Sequence, residues 1–204
     1  MQRNTICPVP VSSNLGDYLA PSWILDFDNE AVKITADRLS AGATDDVEIV
    51  RDFFNFVSND ISHTFDIGAN EVTCKASEVL KYGHGICYAK SHLLAALLRS
   101  SGIPAGFCYQ RLESTDSIYG FVLHGLNAVF FKDTGTWVRI DARGKVGAQV
   151  IFDLGQDMLA FKVDKSIGES EDLRVYPKPA QSAINALMQS TSAEELARKL
   201  PDNI

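Results

Sequence analysis

One cysteine stands where a nucleophile could form. Cys87 lies in "YGHGICYAKSHLLAALLRSSGIPAG" (82–106), after two glycines and at the start of an apolar run that predicts a helix. A thiolate is a stronger nucleophile than a thiol, and the unpaired N–H groups of a first helical turn stabilise it. Gly83 and Gly85 carry no side chains, so a substrate could approach the sulfur closely. The position alone is equally compatible with a buried, inert cysteine.

A nucleophilic cysteine needs a base, and the chain contains four histidines, His63, His84, His92 and His124. His92 lies about 140° round the predicted helix from Cys87, which favours a structural role. His84 sits in the glycine loop, where local geometry rarely lets a ring face the sulfur, and His63 lies in a loop of undetermined position. His124 shares a strand face with apolar residues, where an imidazole needs a polar partner.

Asp141 is the partner that strand pairing predicts for His124. If residues 132–135 form a four-residue turn, Phe131 pairs with Thr136. Asp141 then lies on the same face as His124 and diagonal to it, about 7 Å away between backbone positions. A three-residue turn would put the two on opposite faces, so the register of this hairpin tests the prediction.

Helices precede the sheet in the elements that must position these residues. Apolar spacing predicts helices over 29–39, 45–61, 77–80 and from 87 to 100 or 101, with 61–72 as a loop. Strands are predicted over 105–113, 119–131, 136–142, 149–152 and 159–163, a solvated loop at 169–172, and helices within 182–189 and 190–200. This order predicts an α+β fold in which the Cys87 helix packs on an antiparallel sheet.

The composition limits the classes of function. The chain has 204 residues, 46% of them hydrophobic, and 26 acidic against 19 basic residues give a net charge of -7. This charge disfavours nonspecific binding to nucleic acid or to an anionic membrane. No apolar run approaches the roughly 18 residues of a membrane span, so we expect a cytoplasmic protein.

The length predicts one domain over 1–204, with an N-terminal arm (1–28), a core (29–145) and a C-terminal extension with helices (146–204). Four dispersed cysteines indicate reduced thiols rather than a disulfide scaffold. A zinc site formed by Cys87 with His84 and His124 is an alternative, but these residues lack the spacing of helical or ribbon zinc sites. We therefore predict no metal and no cofactor.

The segment "LKYGHGICYAKSHLLAALLRSSGIPAG" resembles the nucleophile segment of the transglutaminase-like superfamily, in which a Gly-x-Cys turn opens a helix that ends in Leu-Leu-Arg and Gly-Ile-Pro-Ala. The His124 strand and "WVRIDA" resemble the second and third motifs of the family. "VEIVRDFFNFVSNDISHTFD" is similar to the helix and loop before the cysteine in small bacterial members. The resemblance spans roughly residues 45–145, and "LAFKVD" and "YPKPA" are similar to the tails of the same bacterial proteins.

The resemblance implies a papain-like fold with Cys87 as nucleophile, His124 as general base and acid, and Asp141 as the group that orients the imidazole. Two departures alter the rim of the site. "GLNAVFF" follows His124 where the family often has Ala-Trp, and Asp141 is followed by Ala-Arg rather than by Pro. No calcium site of the animal crosslinking enzymes is carried over.

An oxyanion intermediate needs two donors, and the backbone N–H of Cys87 is a natural first one. Tyr82, Asn59 and His63 are candidates for the second, and Gly85 for contact with substrate. We expect an acyl-transfer enzyme that hydrolyses amide or isopeptide bonds of a peptide, a protein or a peptidoglycan stem. The alternatives are a protein-crosslinking transglutaminase and a catalytically silent peptide-binding module, and the sequence predicts no oligomeric state.

Overall fold

A computed structural model describes residues 8–114, 120–144 and 159–204. The helices are α1 (Glu30–Ser40), α2 (Asp46–Asn55), α3 (Ala76–Tyr82), α4 (Cys87–Ser100), α5 (Gln181–Met188) and α6 (Ala193–Arg198). The strands are β1 (Val9–Pro10), β2 (Ser62–His63), β3 (His84–Gly85), β4 (Ala105–Glu113), β5 (Phe121–Phe131), β6 (Thr136–Ile140) and β7 (Ser170–Tyr176). A π-helical turn over Phe56–Asp60 continues α2, and 3-10 turns cover Leu15–Tyr18 and Lys165–Ile167.

The main sheet has the strand order β1-β7-β4-β5-β6. Its pairs are antiparallel except for β1 with β7, and β2 and β3 form a separate parallel pair. Phe131 pairs with Thr136 and Asn127 with Ile140, so the predicted hairpin register is confirmed. The α+β fold class is confirmed as well.

Helix α4 is the centre of the core. Every residue from Tyr88 to Arg99 is buried, as the apolar circumference of the sequence predicts. The helix ends at Ser100, and Gly102 follows in the left-handed conformation with φ 74°. The Arg99 guanidinium is buried and donates hydrogen bonds to backbone carbonyls, those of Ala20, Ala105 and Pro177. These acceptors offset the cost of burying its charge.

The first turns of α4 lie unusually close to β5. A Cβ atom on Gly125 would stand 2.8 Å from the Tyr88 ring, so only glycine allows this approach. The Tyr88 hydroxyl donates to the Leu123 carbonyl, and the Ser91 hydroxyl donates to the Gly125 carbonyl at 3.2 Å. Asn127 Nδ2 donates to the Ser91 carbonyl at 3.1 Å. These contacts hold the start of the helix beside the strand that carries the predicted base.

Two predicted elements after β6 are wrong. Residues 159–163 form no strand, because backbone groups of the segment bond side chains instead: the Ala160 N–H donates to Asp141, and the Phe161 carbonyl accepts from Gln110. Residues 170–172 are not a solvated loop but the start of β7, where Glu171 accepts a 2.7 Å hydrogen bond from buried Arg139.

The loop over 61–72 contains the two-residue strand β2. The predicted strand at 149–152, and residue 119 of the strand over 119–131, lie outside the described residues. Because β1 pairs with β7, parts of both the N-terminal arm and the C-terminal extension belong to the main sheet. In the described part of the chain, no helix is both long and apolar enough to span a bilayer.

Candidate active site

Cys87 is the first residue of α4 and is partly exposed. The residue before it, Ile86, has an extended backbone, and its side chain accepts no hydrogen bond from the helix. The positive end of the helix dipole is therefore directed at the sulfur without a side-chain cap. This placement corresponds to the nucleophile position that the sequence predicts.

Gly85 allows close packing at the start of α4. A Cβ atom on this residue would stand 2.9 Å from the Ala89 Cβ and 3.1 Å from the Thr73 Oγ1. The missing side chain therefore lets protein atoms pack beneath the start of α4, and contact of Gly85 with substrate stays a prediction. Gly83 has φ 70° and ends α3, a conformation that glycine adopts readily.

His124 and Asp141 form a buried pair. The His124 Nε2 lies 2.8 Å from the Asp141 Oδ2, and both residues are almost fully buried. The same Oδ2 accepts the Ala160 N–H at 2.9 Å, and Oδ1 accepts the Arg143 N–H at 3.0 Å. Three donors thus hold the carboxylate in one orientation, as an ionised buried acid requires.

The charges of this pair support one another. Burial lowers the pKa of His124, but electrostatic interactions and hydrogen bonds with Asp141 and Cys87 outweigh burial and raise it above its ordinary value. Burial raises the pKa of Asp141, but His124 and the two backbone donors bring it below its ordinary value. Because Nε2 is bonded to Asp141, Nδ1 is the ring nitrogen left for Cys87.

A cleft of about 540 Å³ opens over Cys87 and His124. This volume is in the range of ligand sites, which extend from about 300 to about 1,000 Å³. The start of α4, the strands β4 and β5, the segment after residue 159 and the C-terminal helix α6 all contribute to its walls. The lining residues are His63, Phe65, Ile86, Cys87, Leu112, Glu113, Ser114, Val122, Leu123, His124, Arg143, Ala160, Phe161, Lys162, Glu169, Ala197 and Leu200.

Of the three side-chain candidates for an oxyanion donor, His63 lines this cleft. It pairs with Gly85 between β2 and β3, two residues before Cys87. Its Nδ1 is buried, 3.7 Å from an Asp66 oxygen, and has no hydrogen-bond partner among the described residues. Burial and the positive charge of Arg143 lower the pKa of His63 to about 3, so the ring is neutral at physiological pH.

Tyr82 and Asn59 lie elsewhere. Tyr82 is 46% exposed and its ring packs near that of His84, with 6.2 Å between ring centroids. Asn59 lines a different hollow, together with Arg38 and Asp52. Neither residue belongs to the lining of the cleft over Cys87.

The remaining histidines have local partners. The His84 Nδ1 lies 3.1 Å from the Thr64 hydroxyl. The His92 Nδ1 bonds the Cys74 carbonyl at 2.7 Å, and burial lowers the pKa of His92 to about 4. Its structural role agrees with the prediction. Within residues 8–114, 120–144 and 159–204, no three His, Cys, Asp or Glu side chains converge to hold a metal ion.

Sequence reasoning missed two cations near the site, Arg143 and Lys90. The Arg143 guanidinium forms two hydrogen bonds with Asp66, at 2.7 and 2.8 Å. The Lys90 ammonium is buried and donates to the Ile61 carbonyl at 2.6 Å and to the Arg143 carbonyl at 3.1 Å. Lys90 follows Cys87 by three residues on an otherwise apolar helix face, and this isolated charge is the signal that could have revealed it.

Comparison with known proteins bears on the family and the fold. The family model of the transglutaminase-like superfamily matches residues 33–142, more than half of the chain. A candidate cysteine protease from Cytophaga hutchinsonii is similar in structure, with a TM-score of 0.53 and 21% sequence identity over 70% of this chain. The chain spans 47% of that protein's length.

Two further solved structures have lower TM-scores. The periplasmic domain of TgpA from Pseudomonas aeruginosa has a TM-score of 0.45 and 15% identity, with coverage of 61% of this chain and 45% of that chain. A transglutaminase crystal structure has a TM-score of 0.45 and 14% identity, with coverage of 74% and 42%. A search of curated proteins finds no match. The family match over residues 33–142 establishes that the chain belongs to the transglutaminase-like superfamily.

Proposed function

We propose that the protein is a cysteine-dependent acyl-transfer enzyme that hydrolyses amide or isopeptide bonds of peptide, protein or peptidoglycan-stem substrates. The observation that carries the proposal is the buried His124–Asp141 pair beside Cys87, at the positive end of α4 and open to a cleft. A raised pKa of His124 favours an imidazolium next to a thiolate, the state in which a cysteine is nucleophilic.

The chemistry follows from the three roles. The Cys87 thiol gives its proton to Nδ1 of His124, and the sulfur attacks the substrate carbonyl carbon. The tetrahedral intermediate collapses when His124 returns the proton to the leaving amine, which leaves a thioester on the sulfur. Water then attacks the thioester carbonyl and gives a proton to His124, and release of the carboxylic acid regenerates the thiol. Asp141 keeps the ring oriented and its charge balanced throughout.

We assign the second oxyanion donor to His63. Its ring lines the cleft, and because a neutral imidazole donates from one nitrogen only, the assignment requires the tautomer that carries its proton on Nε2. A His63→Ala variant should lose about 10²–10³-fold in kcat, the range measured when one oxyanion donor is removed elsewhere. Asn59→Ala and Tyr82→Phe serve as matched controls, since neither side chain lines the cleft. A loss in either control equal to that in His63→Ala would contradict the assignment.

Cysteine labelling tests the nucleophile. At near-neutral pH, iodoacetamide should alkylate Cys87, whereas Cys74 and Cys108 are buried and burial raises the pKa of Cys74 to about 12. Cys87→Ala should retain the fold and lose the labelling. Because Cys7 lies outside the described residues, the assay uses a Cys7→Ser background. Alkylation spread equally over the other thiols would contradict an activated thiolate at Cys87.

Turnover separates the enzyme from its alternatives. Peptide, isopeptide and peptidoglycan-stem amides are incubated with the protein, with and without a primary amine, and with Cys87→Ala as control. Release of acid and amine that depends on Cys87 supports hydrolysis, whereas incorporation of the added amine supports transglutamination. Peptide binding without turnover, together with slow alkylation of Cys87, would instead identify a silent binding module.

A further inference from the structure

The cleft over Cys87 has an apolar wall that belongs partly to a segment outside the family match. Ala197 on α6 and Leu200 just after it line the cleft, whereas the matched region ends at residue 142. The Leu123 N–H on β5 donates to the Pro201 carbonyl at 2.6 Å. This hydrogen bond fixes the C-terminal segment beside the strand that carries His124.

Strands β4 and β5 contribute apolar lining as well. Leu112 and Val122 are direct neighbours across β4 and β5, and both line the cleft. Ile86, immediately before the nucleophile, and Leu123, immediately before the base, are also lining residues and are 3% and 5% exposed. The wall therefore begins directly beside the reacting groups, on protein that packing holds in place.

Arg143 and Glu169, two of the four Arg, Lys, Asp or Glu residues that line the same cleft, already have partners. Nη1 and Nη2 of Arg143 each donate a hydrogen bond to a carboxylate oxygen of Asp66. The Glu169 carboxylate accepts the backbone N–H of Glu113 at 3.0 Å and that of Asp164 at 2.7 Å. A charged substrate side chain would have to compete with these contacts and lose its own hydration, which is costly in an apolar cleft.

We infer that Ala197 and Leu200, together with Leu112 and Val122, form a specificity site for an apolar side chain of leucine or phenylalanine size on the acyl side of the scissile bond. This inference rests on the proposed function, because it takes Cys87 as the acyl acceptor. Burial of such a side chain gives roughly a tenfold to hundredfold preference over a charged one. The apolar side chain occupies the space between the β4–β5 wall and the C-terminal segment.

The test measures covalent labelling of Cys87 by chloromethyl ketones of short acetylated peptides. The two residues on the acyl side are Leu-Gly, Gly-Leu, Asp-Gly, Gly-Asp, Lys-Gly or Gly-Lys, and each rate is divided by the rate with iodoacetamide. We expect a leucine reagent to label at least about tenfold faster than its aspartate and lysine counterparts. Ala197→Leu, which fills the site, and Leu200→Ala, which widens it, should both reduce that ratio. Arg198→Ala, an exposed neighbour that does not line the cleft, should leave it unchanged.

The outcomes are distinct. Equal normalised rates for all peptides, or a preference for aspartate or lysine, would overturn the specificity site while leaving the proposed function intact. An unchanged leucine preference in both Ala197→Leu and Leu200→Ala would also overturn it. If neither iodoacetamide nor any peptide reagent labels Cys87, the proposed function fails, and the inference fails with it. Thermal unfolding of each variant distinguishes a narrowed site from an unfolded chain.

Discussion

The buried ammonium of Lys90 should make the stability of the protein depend on alkaline pH. Lys90 is 1% exposed, and its Nζ contacts two backbone carbonyls and no carboxylate among the described hydrogen bonds. Burial and the positive charge of Arg143 lower the pKa of Lys90 from 10.5 to about 8, against smaller opposing effects of Asp141, Asp66 and Cys87. The folded protein therefore holds this proton less tightly than the unfolded chain does.

The sign and the magnitude of this pH dependence follow from the linkage between proton binding and folding. Between the folded and unfolded pKa values the unfolded chain binds more protons, so stability rises with pH in this window. At about 1.4 kcal/mol per pKa unit, the charged lysine costs about 3 kcal/mol below pH 8, and this cost vanishes as the pH passes 10.5. From pH 7 to about pH 9.5, close to 2 kcal/mol of it should be relieved.

Lys90→Met removes the titration while keeping the length of the side chain. At pH 7 the variant is free of the destabilising buried charge. In exchange, the Ile61 and Arg143 carbonyls lose their donor, which costs about 1–3 kcal/mol each. Because these effects oppose each other, the free energies of unfolding of the two proteins should differ by no more than about 3 kcal/mol at pH 7. The informative quantity is how the difference between the two free energies of unfolding changes with pH. Relative to the variant, the wild type should become about 2 kcal/mol more stable between pH 7 and about pH 9.5.

Urea unfolding of both proteins, followed by circular dichroism at several pH values, measures this change. Lys33→Met is the matched control, because Lys33 is exposed on α1 and its side chain stays in water in both states. A difference between wild type and Lys90→Met that is constant from pH 7 to about pH 9.5 would refute the argument that Lys90 is a buried cation.

Three further changes test the site. Asp141→Asn removes the negative charge that raises the pKa of His124, so the imidazole resonances in NMR spectra should titrate at lower pH than in the wild type. Gly125→Ala places a Cβ 2.8 Å from Tyr88 and should lower the free energy of unfolding by about 1–3 kcal/mol in urea titrations. Arg143→Lys loses the bidentate contact that holds the His63 loop and should slow amide hydrolysis more than alkylation by iodoacetamide.

The parts predicted correctly depend on local information. The apolar circumference and the Arg99-to-Pro104 stop signals predict α4 to within one residue, because they lie in one continuous segment. The register of β5 and β6 follows from a four-residue turn, and that register places Asp141 near His124. Here periodicity and turn length decide the structure, and both can be counted along the chain.

The parts missed depend on contacts between distant segments. Arg143 bonds Asp66 across 77 positions, and Lys90 bonds a carbonyl 53 positions away. No periodicity encodes such pairs. The first residues of β7 are acidic and predict a solvated loop, but Glu171 accepts a hydrogen bond from Arg139, 32 positions earlier. This distant partner makes the charge of Glu171 compatible with a strand.

The position of β7 between β1 and β4 also has a consequence for biosynthesis. The residues of the proposed triad have all been translated once Asp141 is added, but β7 begins only at Ser170. At about 5–20 residues per second, the edge of β4 that β7 will cover stays unpaired for several seconds on the ribosome. A nine-residue, largely buried strand with an open edge is a template for pairing with another chain. We therefore expect nascent chains stalled before Ser170 to be clients of ribosome-associated chaperones and to aggregate without them.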